Sequence, residues 1–418
     1  MARPRRIFKN AAFAALAFAS AEPVHAATFE AGRGINLDQW VTWPDESRWD
    51  DAEIMLPFPE WRKSIGKEGL KRLKDAGFDF VRIPADPSVL LSDKSAALRV
   101  RLIASLADSV RLVNAAGLKS IVDLHLIPAG SNRAIGMSQV MKDPAMFDRY
   151  LDAVRGVARA MSAFDPAMVA IEPMNEPVTG CEGGEQKAWE DRMLRLFAAA
   201  RSSATRLTVV LSGSCWGGAQ GLAAIDPAIV PDDNIIWSFH SYAPYLITSQ
   251  GATWIDDMIS QVWGLPYPLD AVAKSELDAT VAEIRERIGA NSSYGKVAYF
   301  DKLLAEIDTP EKMRAQIAKP FETVAAWAQR HGVERGDILL GEFGVIRQEY
   351  GKDHIVPAAY RAAFYRDVIG LAEDYGFGWS LWSYGGAFGV VEEFANKPAE
   401  PDVIEMIRTL PPRAAGKP

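Results

Sequence analysis

Residues 95–124 read SAALRVRLIASLADSVRLVNAAGLKSIVDL, and they contain the unit from which the chain is built. The first part, Ser95–Ala116, has the mixed apolar and polar pattern of a helix that covers a core. Gly117 follows it, and glycine just past the last helical residue is a common helix C-cap. The last part, Leu118–Leu124, is a short apolar run that predicts a buried strand. A helix followed directly by such a strand indicates an α/β protein.

The same unit recurs along the chain, although no sequence repeat is visible. Alternating strands and helices imply a parallel sheet, and eight such units close naturally into a (β/α)8 TIM barrel. An open doubly wound sheet is the alternative, but it usually carries a glycine-rich phosphate turn after its first strand, and the sequence has none. The predicted strands are Gly32–Leu37, Phe78–Pro84, Leu118–Leu124, Val169–Asn175, Leu207–Gly213, Asn234–His240, Ile338–Phe343 and Gly378–Ser383. The predicted helices between them are Ser64–Ala76, Ser95–Ala116, Ala145–Ala163, Gln186–Thr205, Glu322–His331, Pro357–Asp374 and Asp402–Leu410.

One segment, residues 243–320, is much longer than a barrel loop requires. It contains one clear helical stretch, Ala273–Ile288. Long insertions on the C-terminal face of a barrel are usually functional or act as lids. We therefore predict a single catalytic barrel domain, residues 27–418, with this insertion after the sixth strand capping the C-terminal face. The segment also carries the large aromatic residues Trp254, Trp263 and Tyr267.

The first 26 residues have the features of a signal peptide. Basic residues precede the alanine-rich run Ala11–Ala19, which is too short to span a bilayer. Val24–Ala26 then has the small-residue spacing of a signal-peptidase site. We therefore predict cleavage after Ala26 and export to the periplasm or the medium. The segment Arg5–Lys9 also resembles a twin-arginine signal, which leaves two export routes open.

The sequence contains two cysteines, Cys181 and Cys215. In an oxidising compartment they are able to pair, and two separate thiols are the alternative. They follow the predicted fourth and fifth strands, which are neighbours in a barrel, so both lie on the same rim. A disulfide there would join two loops beside the mouth of the barrel.

The composition favours a neutral partner. The 418 residues carry a net charge of −8, and such a chain repels nucleic acid phosphates and anionic lipid rather than seeking them. We therefore predict neither a nucleic acid partner nor a membrane anchor, and we expect a monomer. Several of the 12 tryptophans, such as Trp40 and Trp216, lie in loop-like sequence, where their flat apolar faces would suit stacking against sugar rings.

Polar side chains stand at the ends of the predicted strands. In a TIM barrel the reactive groups lie at the C-terminal ends of the strands, which open at one mouth. Two of these residues are Glu176, after strand four, and Glu342, on strand seven. Two carboxyl groups on one rim suit glycoside hydrolysis, because one protonates the leaving oxygen while the other attacks the anomeric carbon or activates water. Glu172, inside strand four, has no assigned role and would need a partner if it points into the barrel.

The tripeptide Asn175-Glu176-Pro177 after an apolar strand, with Glu342 at a later strand end, resembles glycoside hydrolase family 5, the cellulase-like family. That family has eight functional positions, and the sequence fills all of them in order. The resemblance implies a retaining β-glycoside hydrolase with Glu176 as general acid/base and Glu342 as nucleophile. The supporting and substrate-binding positions that it implies are Arg82, His125, Asn175, His240, Tyr242 and Trp382.

The resemblance and the chemistry together suggest a role for each supporting residue. Arg82 would keep Glu342 ionised, and Tyr242 would hydrogen-bond to the same carboxylate. Asn175 would hold the sugar 2-hydroxyl, and Trp382 would stack on the sugar before the scissile bond. His125 would lie near the substrate, and His240 would bond to the acid/base side of the site.

Other classes of protein are less consistent with the sequence. The five histidines lack the His-Glu-x-x-His spacing of a metal hydrolase, so we predict neither a metal nor another cofactor. A non-catalytic sugar-binding barrel would be favoured if either glutamate were replaced, and both are present. The resemblance implies a β-linked glucan as the substrate and endo-β-1,4-glucanase activity. β-1,3-Glucanase, β-mannanase, exo-acting β-glucosidase and transglycosylase activity remain open, because loops rather than the fold set specificity.

Overall fold

The computed structural model describes residues 28–38, 43–56, 65–394 and 397–413. Within this part of the chain, eight parallel strands form a closed barrel in chain order, and the last strand pairs with the first. The predicted TIM barrel is therefore confirmed, and its strands differ from the predicted ones only at their ends. The predicted signal peptide and Trp40 lie outside the described residues. The strands are β1 Arg33–Asn36, β2 Phe80–Ala85, β3 Lys119–Leu124, β4 Val169–Glu172, β5 Thr208–Ser212, β6 Ile235–His240, β7 Ile338–Phe343 and β8 Gly378–Leu381.

Helices cover the outside of the barrel. None of the described helices is long and apolar enough to cross a membrane. The longer helices of the described residues are α1 Lys67–Asp75, α2 Arg99–Ala115, α3 Pro144–Met161, α4 Gly183–Ser203, α5 Lys274–Asn291, α6 Lys296–Ala305, α7 Pro310–His331 and α8 Ala358–Asp374. The shorter ones include Ala52–Met55, Ser88–Leu91, Met137–Lys142, Ala219–Ala223, Tyr245–Thr248 and Asp402–Arg408.

The unit of α2 and β3 shows how the local sequence produces this layer. The buried residues Leu102, Leu106, Val110 and Val113 follow one another at helical spacing, so α2 presents one apolar face to the barrel. After the helix ends, Gly117 has a φ of 79°. This left-handed backbone favours glycine and turns the chain directly into β3.

Helix α7 differs from the sequence prediction, which began a helix at Glu322. The helix begins at Pro310, with the Thr309 side chain accepting a hydrogen bond from the backbone at its N-terminus, and continues through Pro320. The apolar spacing is maintained across that proline, since Met313, Ile317, Phe321 and Val324 are all buried. Burial of this continuous face offsets the hydrogen bond that Pro320 cannot donate.

The segment 243–320 divides into two parts that lie in different places. In its first part, Trp254 packs against Phe388, which in turn packs against Tyr242 at the barrel mouth. Its helices α5 and α6 instead lie outside the barrel, where they border a cavity of about 1050 Å³ with α7 and α8. The prediction that the whole segment caps the C-terminal face was therefore wrong for its helical part. Helix α5 packs against α6 and the short turn Ile259–Gln261, and its apolar residues Leu277 and Val281 line this cavity.

Inside the barrel, side chains pack in layers. Such layers form because every second residue of a strand points inward. The lower layer consists of apolar residues. Phe29 lies at the bottom of this layer, fully buried and edge-on to Phe80 at 6.1 Å between ring centroids. The other members are Ala31, Ile121, Ala170, Val210, Ile236 and Leu339. This packed base supports the polar layer above it.

Candidate active site

The next inward layer is polar. Two residues after Phe80, Ile121 and Ala170 come Arg82, Asp123 and Glu172, so all three point into the barrel one layer closer to the mouth. All three side chains are fully buried. Charged groups persist in such a position only when they pair with one another, and these residues form one network.

Arg82 is the centre of that network. Its guanidinium forms a two-point contact with Glu172, at 2.7 and 3.1 Å, and lies 3.0 Å from Asp123. It also donates to Glu342 at 2.8 Å. The carboxylates raise the pKa of Arg82 against the opposing effect of its burial, so the guanidinium stays charged. The two remaining acceptors are the side-chain oxygens of Asn36, at 2.9 Å, and Asn175, at 2.7 Å.

Glu342 reaches the mouth because of an irregularity in β7. Counting from the inward-facing Leu339 would turn Gly341 inward and Glu342 outward. The register between β6 and β7 shifts after Phe239, so that His240 pairs with Glu342. A bulge of this kind re-aims a side chain, and Glu342 thereby accepts hydrogen bonds from Arg82 and, at 3.0 Å, from the Tyr242 hydroxyl. Burial raises the pKa of Glu342 and Arg82 opposes that increase.

Glu176 lies in the loop after β4, with a strained φ of 32°. Its Oε1 is 2.8 Å from Nδ1 of His240, and 30% of its side chain is exposed toward the mouth. Burial raises the pKa of Glu176 to about 7, and the charge of Glu172 adds to this effect. A carboxyl group with such a pKa holds a proton near neutral pH and can act as a general acid.

The two histidines are held as neutral groups. Burial lowers the pKa of His240 to about 4 and also lowers the pKa of His125. Nδ1 of His125 lies 2.8 Å from Asp123, and its Nε2 lies 3.3 Å from the side-chain nitrogen of Asn175. The His125 ring stacks on Trp382 at 5.6 Å between centroids, so one face of the mouth is aromatic and apolar.

The two glutamates lie close together. Carboxylate oxygens of Glu176 and Glu342 and a ring nitrogen of His240 all lie within 4.8 Å of one another. Of the described residues, these three could hold a metal ion. Nδ1 of His240, Oε1 of Glu176 and both carboxylate oxygens of Glu342 already take part in hydrogen bonds, so we assign them no metal. The arrangement instead places Glu176, whose pKa is raised, and the ion-paired Glu342 across a small gap.

The structure brings all eight of the site residues named from the sequence to one mouth. It also shows three partners that the sequence reasoning did not place in the site. Asp123 and Glu172 would have been found by counting every second residue along each strand, because they share their layer with Arg82. The third partner, Asn36 on β1, donates to backbone oxygens of β7 and β8. Because these strands are far from Asn36 in the sequence, no local sequence pattern pointed to its role.

The aromatic residues singled out from the sequence separate into two groups. Trp216 and Trp254 are exposed by 53% and 55% and remain available to a ligand. Tyr267 is buried and donates to Asp367, while Trp263 lies under Arg287. Tyr267 thus links the inserted segment to α8, whereas the contact of Trp263 with Arg287 lies within the segment.

We predict that Arg82→Met lowers the free energy of unfolding by about 3–5 kcal/mol, because removing one partner leaves buried carboxyl groups without a counter-charge. Urea unfolding at pH 7 measures this. Arg155→Met is the matched control, since Arg155 pairs with Asp152 on the surface and its loss should cost less than about 1 kcal/mol. Equal losses in the two variants would contradict the buried network.

A buried arginine paired with one glutamate, a second glutamate across a short gap and an aromatic pair at the mouth of a TIM barrel are the groups that glycoside hydrolysis requires. The model of the cellulase family, glycosyl hydrolase family 5, matches residues 39–388. The chain therefore belongs to glycosyl hydrolase family 5.

The chain resembles several proteins along most of its length. It is 22% identical to endoglucanase C of Acetivibrio thermocellus over 375 residues, which covers 90% of this chain and 97% of the relative. Thermotoga maritima Cel5A, solved in complex with cellobiose, has a TM-score of 0.59 at 20% identity and covers 90% and 97% of the two chains. The cellulose synthase subunit Z of Clostridioides difficile has a TM-score of 0.60 at 21% identity, covering 90% and 99%. Both of these structures share the fold of this chain.

Proposed function

We propose that this chain is an endo-β-1,4-glucanase that cleaves its glycan with retention of the anomeric configuration. The observation that supports the mechanism is the short distance between Glu176 and Glu342, since one carboxylate oxygen of each lies within 4.8 Å of the other. Retaining enzymes hold their two carboxyl groups about 5–5.5 Å apart, whereas inverting enzymes need about 6.5–9.5 Å to admit a water between them. The short gap supports direct attack by one carboxylate.

The proposed reaction has two displacements at the anomeric carbon. In the first, an oxygen of Glu342 forms a bond to that carbon while the bond from the carbon to the glycosidic oxygen breaks, and this leaving oxygen takes the proton of Glu176. In the second, Glu176 removes a proton from water, which attacks the same carbon and releases Glu342. Arg82 and Tyr242 hold the attacking carboxylate in place through the contacts described above.

The endo-β-1,4 specificity is supported by the similarity to endoglucanase C along almost its whole length. Exposed aromatic side chains beside the mouth are suited to successive sugars of a polymer. They are Trp216, Tyr245 and Trp254. We also propose export, supported by the N-terminal sequence and by the pairing of Cys181 with Cys215, since disulfides persist in oxidising compartments.

Product analysis tests the substrate. The chain is incubated with β-1,4-glucan, β-1,3-glucan, mixed-linkage glucan and mannan, and its early products are separated by length. We expect mixed oligomers from β-1,4-glucan. Release of only a mono- or disaccharide would reject endo action, and cleavage of only β-1,3-glucan or mannan would reject the linkage.

Proton NMR of the first product tests the mechanism. A retaining reaction releases the β-anomer before mutarotation produces the α-anomer. An α-anomer as the first product would reject retention and with it the proposed role of Glu342 as nucleophile.

The pH dependence follows from the two carboxyl groups. Glu176 must be protonated in the free enzyme, so kcat/KM should fall as the pH rises through about 7. Glu342 must be ionised, so kcat/KM should also fall at low pH, beginning above the ordinary glutamate range because its pKa is raised. We expect a bell-shaped profile. Because the two carboxyl groups interact, its two apparent pKa values describe the pair rather than either residue alone. A profile that stays flat to pH 9 would contradict the assignment of Glu176.

A further inference from the structure

The loop after β5 makes a sharp corner at residues 214–218, directly beside Glu176. Cys215, Trp216 and Gly217 have consecutive φ angles of 59°, 53° and 68°. Left-handed backbone suits Gly217, but it costs free energy at Cys215 and Trp216 because their Cβ atoms crowd the backbone. The corner therefore keeps this shape only if its surroundings hold it.

The corner is held mainly from the loop after β4. A disulfide joins Cys215 to Cys181, and the Trp216 backbone nitrogen donates to the Pro177 carbonyl at 3.2 Å. The Cys215 nitrogen donates to the Thr179 hydroxyl at 3.4 Å, which is long for a hydrogen bond. The Trp216 side chain is 53% exposed, so burial of its ring contributes little to the hold. The disulfide is the one covalent tie among these contacts.

The corner forms one wall around the proposed acid/base. A Cβ atom added to Gly217 would lie 3.8 Å from both Cα and Cγ of Glu176 and 3.9 Å from Cγ of His240. Gly218 also forms a backbone bridge with His240. The corner thus lies beside both members of the contact between Glu176 and His240, and a shift of the corner would leave room for that contact to loosen.

We propose that the Cys181–Cys215 disulfide is a positioning element that holds Glu176 against His240, so that acid/base function is complete only when the disulfide is formed. The inference rests on the proposed function, because it requires Glu176 to be the acid/base. Both cysteines are half-buried and within reach of a small dithiol. Reduction breaks the sulfur–sulfur bond: the dithiol supplies two electrons and two protons, leaves two cysteine thiols and itself becomes a disulfide. The corner then relaxes toward ordinary backbone angles and withdraws from Glu176.

Opening the corner changes the burial of Glu176 but none of the charges around it, because residues 214–218 carry no titratable side chain except the cysteine. Added water around Glu176 lowers its pKa toward the ordinary value. The alkaline limb of kcat/KM therefore moves to lower pH on reduction. The titratable and charged groups that face Glu176 from the barrel strands are Arg82, Asp123, His125, Glu172, His240 and Glu342. The phenols of Tyr242 and Tyr245, on the loop after β6, are neutral at these pH values.

The experiment compares the full-length oxidised protein with the same protein after treatment with dithiothreitol. Two aryl β-glycosides of the preferred sugar are used: a phenyl glycoside, which needs acid assistance, and a 2,4-dinitrophenyl glycoside, which needs little. We expect kcat/KM for the phenyl glycoside to fall about tenfold, a part of the 10²–10⁴-fold that a general acid contributes, while that for the dinitrophenyl glycoside changes less than about twofold.

Two variants make the test specific. The double variant Cys181→Ser/Cys215→Ser should behave like the reduced protein, and dithiothreitol should not change its activity. If this variant folds poorly, the dithiothreitol-treated wild type provides the test, with circular dichroism to check that it remains folded. In a Glu176→Ala background, reduction should have no further effect on phenyl glycoside turnover, because the two changes act through one group.

Equal losses on both glycosides, the same loss in the Glu176→Ala background, or no loss at all would overturn the inference. Failure of the proposed function has a different signature, since the oxidised wild type would then leave even the dinitrophenyl glycoside intact.

Discussion

Glu342→Gln is expected to lower kcat/KM for β-glycosides by a factor on the order of 10⁴ to 10⁶, the range in which loss of a nucleophile falls. The amide keeps the shape of the side chain and can still face Arg82 and Tyr242, but it is too weak a nucleophile to attack the anomeric carbon. Steady-state rates on the dinitrophenyl glycoside measure the loss, because its good leaving group makes attack itself the limiting requirement.

Glu349→Gln is the matched control for this prediction. Glu349 is buried in the loop after β7, where it accepts a hydrogen bond from the Thr253 backbone rather than touching the site. The Glu349→Gln variant should retain most of the activity.

The product of azide rescue adds a second criterion for Glu342. With azide, Glu342→Ala should give an α-glycosyl azide, because azide then attacks from the vacated nucleophile side. Activity of Glu342→Gln within tenfold of the wild type would rule out its role as nucleophile.

Glu176→Ala should give a loss that depends on the leaving group. For a phenyl glycoside we expect kcat/KM to fall by about 10²–10⁴, the usual contribution of a general acid. For a dinitrophenyl glycoside the first displacement should proceed almost normally, whereas the second should be slow, because no base activates water. A burst of dinitrophenol followed by slow turnover is therefore the expected time course.

Azide should accelerate that slow turnover and produce a β-glycosyl azide, since azide needs no general base. Glu182→Ala is the control, because Glu182 is an exposed glutamate in the same loop. Equal losses on both glycosides without rescue would show that Glu176 only supports the structure.

These two predictions depend on a site whose parts were visible in the sequence to different degrees. The strand-end positions of Arg82, Asn175 and Glu176 followed from apolar runs that end in polar residues, and the barrel placed them at one mouth as expected. Asp123 and Glu172 were visible in the sequence but gained meaning only when alternate residues of each strand formed one layer around Arg82.

Other features could not be obtained from local patterns. Strict alternation along β7 turns Glu342 outward, and the register shift against β6 reverses that result. Helix α7 continues through Pro320 because its buried face outweighs the local breaking tendency of proline. Helices α5 and α6 lie outside the barrel, where they border a cavity with α7 and α8, and this position depends on tertiary packing rather than on their own sequence.

The sequence by itself determined the barrel, because the periods of strands and helices and the glycines between them act within a few neighbouring residues. It also indicated most of the side chains at the mouth, because polar residues follow the apolar runs. The tertiary structure alone decided the short gap between Glu176 and Glu342, the sharing of one guanidinium by several carboxyl groups and the pairing of Cys181 with Cys215. These depend on distances across a closed barrel, and such distances are set by strand register and closure, which no single segment contains.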